Sequence, residues 1–253
     1  MTTLYYTYIF IMGLLLGSFY NVVGLRIPKG ESIIQPRSHC PKCQRDLTAL
    51  DLIPVLSYFL LKGKCSGCGS RISPIYPIIE VGTAALFTIT PWLVGWSKEL
   101  LIAWVLISLL VIIFISDLHY MIIPDKVLLF FGLLIVLLRL LWVPLDPWWD
   151  GFLGAVIGFT LLLSIAIVSK GGMGGGDIKL FAVLGLVLGW KGVFLAFFFS
   201  AFYGAIMGGV GMLLGKVKRG QPFPFGPAIV LGSLTTYFFG EKIMLWYVTI
   251  ILQ

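Results

Sequence analysis

Only eleven acidic residues occur in this chain of 253. Two of them, Asp117 and Asp177, stand where apolar and polar stretches meet. Asp117 follows the apolar run Leu109-Leu-Val-Ile-Ile-Phe-Ile-Ser116, and Asp177 follows Gly172-Met-Gly-Gly-Gly176 and opens a later apolar run. Ionisable groups at the edge of hydrocarbon are costly and usually functional. Two carboxylates at short range cannot both ionise cheaply, so they share a proton: one can activate water while the other protonates a carbonyl, the chemistry of an aspartic protease. Ordinary helix-end roles compete with this reading. The helix dipole alone would favour Asp177 at an N-terminus, whereas it disfavours Asp117 at a C-terminus.

Cysteine supplies the second candidate centre. Cys40-Pro-Lys-Cys43 and Cys65-Ser-Gly-Cys68 are two C-x-x-C knuckles, close to the spacing of a structural four-thiolate zinc site, with Gly67 and Gly69 suited to a tight second turn. Disulfides, free thiols and an iron–sulfur cluster are the alternatives; a reducing compartment disfavours the disulfides. Four thiolates around one ion leave no open position for catalysis, so the expected role is to stabilise a loop too small for a large core.

The elements that must hold these groups follow from composition. The chain is 59% apolar and 11% charged, with a mean hydropathy of +1.02. A soluble domain carries about 25% charged residues, so a soluble enzyme and a disordered chain are excluded. The expected class is an all-α polytopic membrane protein. About eight transmembrane helices are read at 4–24, 77–95, 100–116, 127–145, 151–169, 178–190, 192–215 and 227–250, with the sixth and seventh parted at Trp190-Lys191-Gly192. Met1-Thr2-Thr3 carry no basic side chain, so the first helix is expected to persist in the mature protein rather than act as a signal peptide.

Orientation follows from the basic residues. Eight of the 18 lie between Arg26 and Arg71, beside all four cysteines. With the N-terminus outside, segments 25–76, 117–126, 170–179 and 216–226 face the cytoplasm and carry 14 basic residues, including Lys216, Lys218 and Arg219. Four stay outside: Lys98, Arg139, Lys191 and Lys242. The positive-inside rule favours this arrangement. It brings Asp117 and Asp177 to the same cytoplasmic face. The expected organisation is a first helix over 1–24, a cytoplasmic four-Cys zinc-binding domain over 25–76 and a multi-helix membrane peptidase domain over 77–253. The charge excess is read as topology and contact with the bilayer, not as nucleic-acid binding.

The glycines before Asp177 allow a backbone to pass close by, making room for an extended substrate at Gly174, Gly175 and Gly176. A phosphate loop would need Walker-A spacing and a preceding strand, which are lacking; a plain linker is the other option. Asp117-Leu-His-Tyr-Met-Ile-Ile-Pro-Asp125 and Gly172-Met-Gly-Gly-Gly-Asp-Ile-Lys-Leu180 resemble the two active-site motifs of type IV prepilin peptidases, of the G-x-G-D class of intramembrane aspartic proteases. The resemblance extends to Gly17-Ser-Phe-Tyr-Asn-Val-Val23, both knuckles, Asp51-Leu-Ile-Pro-Val-Leu-Ser57, Ser73-Pro-Ile-Tyr-Pro-Ile-Ile-Glu80 and Pro224-Phe-Gly-Pro-Ala228, covering essentially the whole chain.

That resemblance implies a dyad of Asp117 and Asp177 that removes the leader from type IV prepilins or pseudopilins of pilus, type II secretion or DNA-uptake systems. The cut follows a glycine on the cytoplasmic side of the bacterial inner membrane. Four-cysteine members usually also methylate the new amino terminus with S-adenosylmethionine, although no cofactor-binding glycine motif is found here. Pro227-Ala228-Ile229 resembles a Pro-Ala-Leu element near such active sites, with its third residue changed. Asp125 matches the motif's other acid or starts the fourth helix. Glu80 is a candidate for the substrate amine or the cofactor, or an interfacial helix-start acid. A non-enzymatic transporter or scaffold with a zinc-stabilised domain is the alternative; it predicts acids near the bilayer midplane and repeated halves, neither of which is visible.

Overall fold

The computed structural model describes residues 2–170, 172–215 and 223–251. The basic cluster Lys216, Lys218 and Arg219 lies outside the described residues. The described secondary structure is helical apart from two isolated bridges. The chain forms two compact units, Met1–Trp96 and Ser97–Gln253.

In the first unit, α1 (Thr2–Arg26) ends in a short 3-10 turn, a polar loop carries the one-turn helix α2 (Leu56–Leu60), and α3 (Ile75–Val94) follows. The two long helices touch backbone to backbone. A Cβ at Gly13 would stand 2.6 Å from Ala84 Cα, and one at Gly17 would stand 2.8 Å from Glu80 Cα. Lipid offers no hydrophobic drive for helix association, so the Gly-x-x-x-Gly face lets van der Waals packing supply it.

The second unit contains α4 (Glu99–Tyr120), α5 (Asp125–Leu141), α6 (Asp150–Val168), α7 (Gly175–Leu213) and α8 (Gly226–Ile251). The most buried is α4, whose Leu106, Ile107, Leu109, Leu110 and Ile113 are almost wholly enclosed. Among the described residues six helices are long and apolar enough to span a bilayer. A further one, α5, has 17 residues, the lower limit of about 17 for a span.

The 39 residues of α7 are not one rod. Gly189 takes φ 68°, ψ 177° and reverses the chain. The rings of Phe181 and Phe197 consequently lie 6.3 Å apart, where a straight helix would separate them by about 24 Å. The two arms of α7 complete the eight expected helical segments among the described residues. The break falls at Gly189 rather than at Trp190-Lys191-Gly192. Only glycine adopts this φ without penalty, and the Asp150 carboxylate fills the space a side chain would take. The fourth helix ends at Leu141, not at 145, before Pro144. On α6, Gly154 and Gly158 approach the Gly185 and Phe181 carbonyls of α7, again backbone against backbone.

Candidate active site and metal centre

At one end of the second unit the last turn of α4 meets the first turns of α7 and α8. Asp117 lies in that last turn and Asp177 is the third residue of α7. Both are buried, with 5% and 9% of their surface exposed, and their carboxylates are close enough for direct electrostatic interaction. Each carboxylate faces a backbone amide at a helix start. The Gly226 N–H donates to Asp117 Oδ2 at 2.7 Å, and the Gly174 amide lies beside the Asp177 carboxylate. Helix starts have amides without intrahelical partners, and the positive end of the dipole suits an anion.

The intervening chain is equally fixed. After α4, Met121 adopts the left-handed conformation and its N–H closes on the Asp117 carbonyl at 2.9 Å. The Ser116 hydroxyl donates to the Ile122 carbonyl, pinning the turn. Ile123 then packs against α7, where a Cβ at Gly176 would stand 2.7 Å from Ile123 Cβ. The three sequence-marked glycines therefore differ. Gly176 permits the close approach that carries Asp177 beside α4, Gly174 lies against the Asp177 carboxylate, and Gly175 faces open space. Pro227 and Ala228 are buried in the first turn of α8. Asp125 opens α5 and pairs with Lys179 Nζ at 2.7 Å.

Glu80 belongs to the first unit. It is 7% exposed, and its carboxylate accepts the Val55 N–H at 2.8 Å beside the glycine contact of α1.

The sequence marks Gly226 only as part of the stretch Pro224-Phe-Gly-Pro-Ala228, with no role of its own. Its signal was a glycine with a free amide just before Pro227 at a helix start, but the partner lies 109 residues away.

The two cysteine knuckles repeat one backbone design. Cys40 N–H donates to Arg45 O and Gln44 N–H to Cys40 O; Cys65 N–H donates to Ser70 O and Gly69 N–H to Cys65 O. Gln44 and Gly69 hold equivalent positive-φ positions, and a bridge flanks each knuckle, His39 with Asp46 and Lys64 with Arg71. Sulfur separations are 3.9 Å for Cys40–Cys68 and for Cys43–Cys65, and all four lie within 4.8 Å of one another. A tetrahedral zinc with Zn–S bonds of about 2.3 Å spaces its sulfurs about 3.8 Å apart, so the cluster fits a metal ion of that size. The amides of Cys43 and Lys42 draw the Cys40 thiol down to about 6. Cys43 is pushed up to about 11: the Arg45 amide lowers it, but desolvation and the Cys68, Cys40 and Cys65 sulfurs outweigh that bond. Four sulfurs this close need a cation to be thiolates together. Asp51 braces the fold of the loop. It accepts the Thr48 N–H and hydroxyl and the Arg45 and Ser66 side chains, which hold its carboxyl down at about 2.

The loop also contains a cavity of about 630 Å³ lined by Lys62, Lys64 and Arg71, among others, and by no acid. S-adenosylmethionine carries a net positive charge, so this cavity does not fit it.

A multi-helix membrane bundle, two buried carboxylates brought together by three helix ends, and a four-cysteine loop define a polytopic membrane protein with the makings of an aspartic peptidase. Comparison with known proteins gives the particular family. The Bacterial Peptidase A24 N-terminal domain matches residues 11–94, and the Type IV leader peptidase family matches residues 104–209. A prepilin leader peptidase/N-methyltransferase of Bacillus subtilis is 50% identical over 240 residues, covering 95% of this chain and 96% of its own. Proteins of the same name from Aeromonas salmonicida and Myxococcus xanthus are 36% and 35% identical. They cover 98% and 96% of this chain, and 96% and 75% of their own lengths. No solved structure matches. The chain belongs to the type IV leader peptidase family and is a multi-pass membrane enzyme.

Proposed function

We propose that this enzyme removes the leader peptide from type IV prepilins or pseudopilins at the cytoplasmic face of the bacterial inner membrane, cutting after a glycine, with Asp117 and Asp177 as the catalytic pair. The observation that carries the reading is the convergence of these two buried carboxylates from motifs that are far apart in sequence. One carboxylate takes a proton from water, and the resulting hydroxyl adds to the scissile carbonyl carbon. The other carboxyl donates its proton to the carbonyl oxygen. Collapse of the gem-diol breaks the C–N bond, and the amine nitrogen takes up a proton as it leaves. The extended substrate strand passes Gly175, where no side chain obstructs it. The basic residues of 25–76 and of the segments bordering the dyad support a cytoplasmic active site.

The metal of the four-cysteine site is proposed to be zinc, held by Cys40, Cys43, Cys65 and Cys68 in a closed structural role. The names of the relatives support a second activity, methylation of the newly exposed amino group from S-adenosylmethionine.

The test is mass spectrometry of a co-expressed pilin-like substrate. Wild type should yield the leaderless product, methylated if the second activity is present. Asp117→Asn and Asp177→Asn should each leave the precursor intact while remaining folded in the membrane; full cleavage by either would overturn the dyad.

A further inference from the structure

The cavity of about 630 Å³ in the polar loop is lined by Tyr58, Lys62, Gly63, Lys64, Arg71, Ile72, Ser73 and Pro74. Three of these residues are cations and none is an acid. Among the described residues no carboxylate pairs with Lys62, Lys64 or Arg71; the three ion pairs that form use other cations. Lys64 and Arg71 are moreover direct partners in an antiparallel bridge. Like charges opposite one another in such a pair are destabilising. The frame that holds them together is nonetheless well bonded. Ile72 N–H donates to Gly63 O at 2.8 Å, and Gly63 N–H donates to Tyr58 O at 2.8 Å. An arrangement that fixes three uncompensated cations around one space is built for an anion.

Two independent features say which anion. Arg71, Ile72, Ser73 and Pro74 immediately precede α3, which begins at Ile75 and is long and apolar enough to span a bilayer. The cavity therefore sits where phosphate headgroups lie. Tyr58, on its wall, belongs to α2, whose Leu56, Phe59 and Leu60 are 61%, 70% and 79% exposed, and Leu50 nearby in sequence is 76% exposed. A polar loop gains nothing by presenting such side chains to water, whereas beside a membrane they can enter the acyl boundary while cations take the headgroups. We propose that this cavity binds the phosphate of an anionic phospholipid, with the apolar side chains of α2 seated in the adjoining acyl region. The charge also explains why the loop is a poor place for the basic leader of a prepilin, which it would repel.

The experiment uses the full-length protein, delipidated in neutral detergent and titrated with phosphatidylglycerol or phosphatidylcholine, with bound lipids counted by native mass spectrometry. Phosphatidylglycerol should bind and phosphatidylcholine should bind far more weakly. At roughly 1 kcal/mol per cation near an anionic surface, the combined Lys62→Gln, Lys64→Gln, Arg71→Gln variant should bind phosphatidylglycerol about 100-fold more weakly. Its metal content should match wild type and its melting temperature should be no lower, which separates loss of the site from loss of the loop. The paired change Phe59→Ser, Leu60→Ser should weaken lipid binding while leaving the three cations in place. Inorganic phosphate, titrated by calorimetry, should bind weakly and fail to displace the lipid. Equal binding of both lipids, unchanged phosphatidylglycerol binding in the triple variant, or displacement by millimolar phosphate would each overturn the lipid site.

Discussion

The amide of Gly226 holds Asp117 Oδ2 at 2.7 Å, joining the start of α8 to the end of α4. The contact leaves no room for a side chain. A Cβ at Gly226 would lie 2.6 Å from Asp117 Oδ2 and 2.7 Å from its Cγ. Gly226→Ala must therefore displace the carboxylate or the helix start. Misplacing a reacting group by about 1 Å can cost 10²-fold in rate, so leader cleavage should fall by about that factor. Quantifying precursor and product for the membrane-inserted variant checks this, and near wild-type cleavage would show that Asp117 tolerates the shift.

The glycines before Asp177 give a sharper contrast. At Gly176 an added Cβ meets Ile123 Cβ at 2.7 Å, while at Gly175 it meets nothing within 4 Å. Both positions lie in the first turn of α7, where alanine's advantage over glycine is at most the about 1 kcal/mol of a helix interior. Gly175→Ala should leave the melting temperature unchanged or raise it. Gly176→Ala should lower it, because the overlap at Ile123 outweighs the propensity gain. Thermal unfolding in detergent reads both. A loss of cleavage in Gly175→Ala at full stability would mark contact with the substrate strand.

Asp125 should behave unlike Asp117. It pairs with Lys179 at 2.7 Å, and the two side chains are 67% and 52% exposed. Exposed pairs contribute about 0–1 kcal/mol. Asp125→Asn should keep most leader cleavage and lose little stability, whereas Asp117→Asn should abolish cleavage. Comparable loss from both would give the second motif acid a part in the chemistry.

Scarcity of charge made much of this legible. With so few acids, Asp117 and Asp177 stood out at the ends of apolar runs, and the runs themselves marked the helical segments. The cysteine spacing likewise announced its cluster. What the sequence could not show were pairings between distant residues. Gly226 carried no mark of its bond to Asp117, because an orphan amide at a helix start names no partner. The reversal in α7 was expected at the visibly polar Lys191, yet backbone conformation decided it, and Gly189 alone could supply the φ required. Arg139 was counted as a topological charge on the outer side. In the structure it is 8% exposed and makes a two-pronged ion pair with Glu99, a residue 40 positions earlier.

The four-cysteine centre supports a prediction about metal removal. The flanking backbone bonds are local and few, and the loop lacks a large apolar core, so metal binding is expected to supply much of its folding free energy. Chelation, or Cys65→Ser at a buried ligand, should open 25–76 to limited proteolysis while helices α4 to α8 stay protected. Zinc analysis alongside peptide mapping tests this. A loop that stays resistant after complete metal loss would show that Asp51, with its bonds to Thr48, Arg45 and Ser66, suffices to hold it.

The network around Arg139 fixes the end of the second unit away from the dyad. Its Nη1 and Nη2 donate to Glu99 at 2.7 and 2.8 Å, Nη2 also donates to the Val187 carbonyl at 3.0 Å, and the Tyr237 hydroxyl donates to Glu99 at 2.9 Å. One ion pair thereby ties α4, α5, α7 and α8 together just before the reversal at Gly189. Removing Glu99 strands the buried Arg139 charge, a loss that costs up to about 3–5 kcal/mol, whereas Glu99, with 31% of its side chain exposed, keeps part of its hydration when Arg139 is removed. Glu99→Gln keeps hydrogen-bonding capacity but leaves Arg139 unpaired, so it should destabilise by part of that amount, and Arg139→Leu should destabilise through the lost bonds to the Val143 and Val187 carbonyls as well as the lost pair. Replacing both residues, as Glu99→Leu with Arg139→Met, should recover stability relative to Arg139→Leu alone, since no charge then remains unpaired. Melting temperatures of the single and double variants decide the matter: strict additivity would show that the two residues act separately, and the pair would no longer account for how these four helices are held in register.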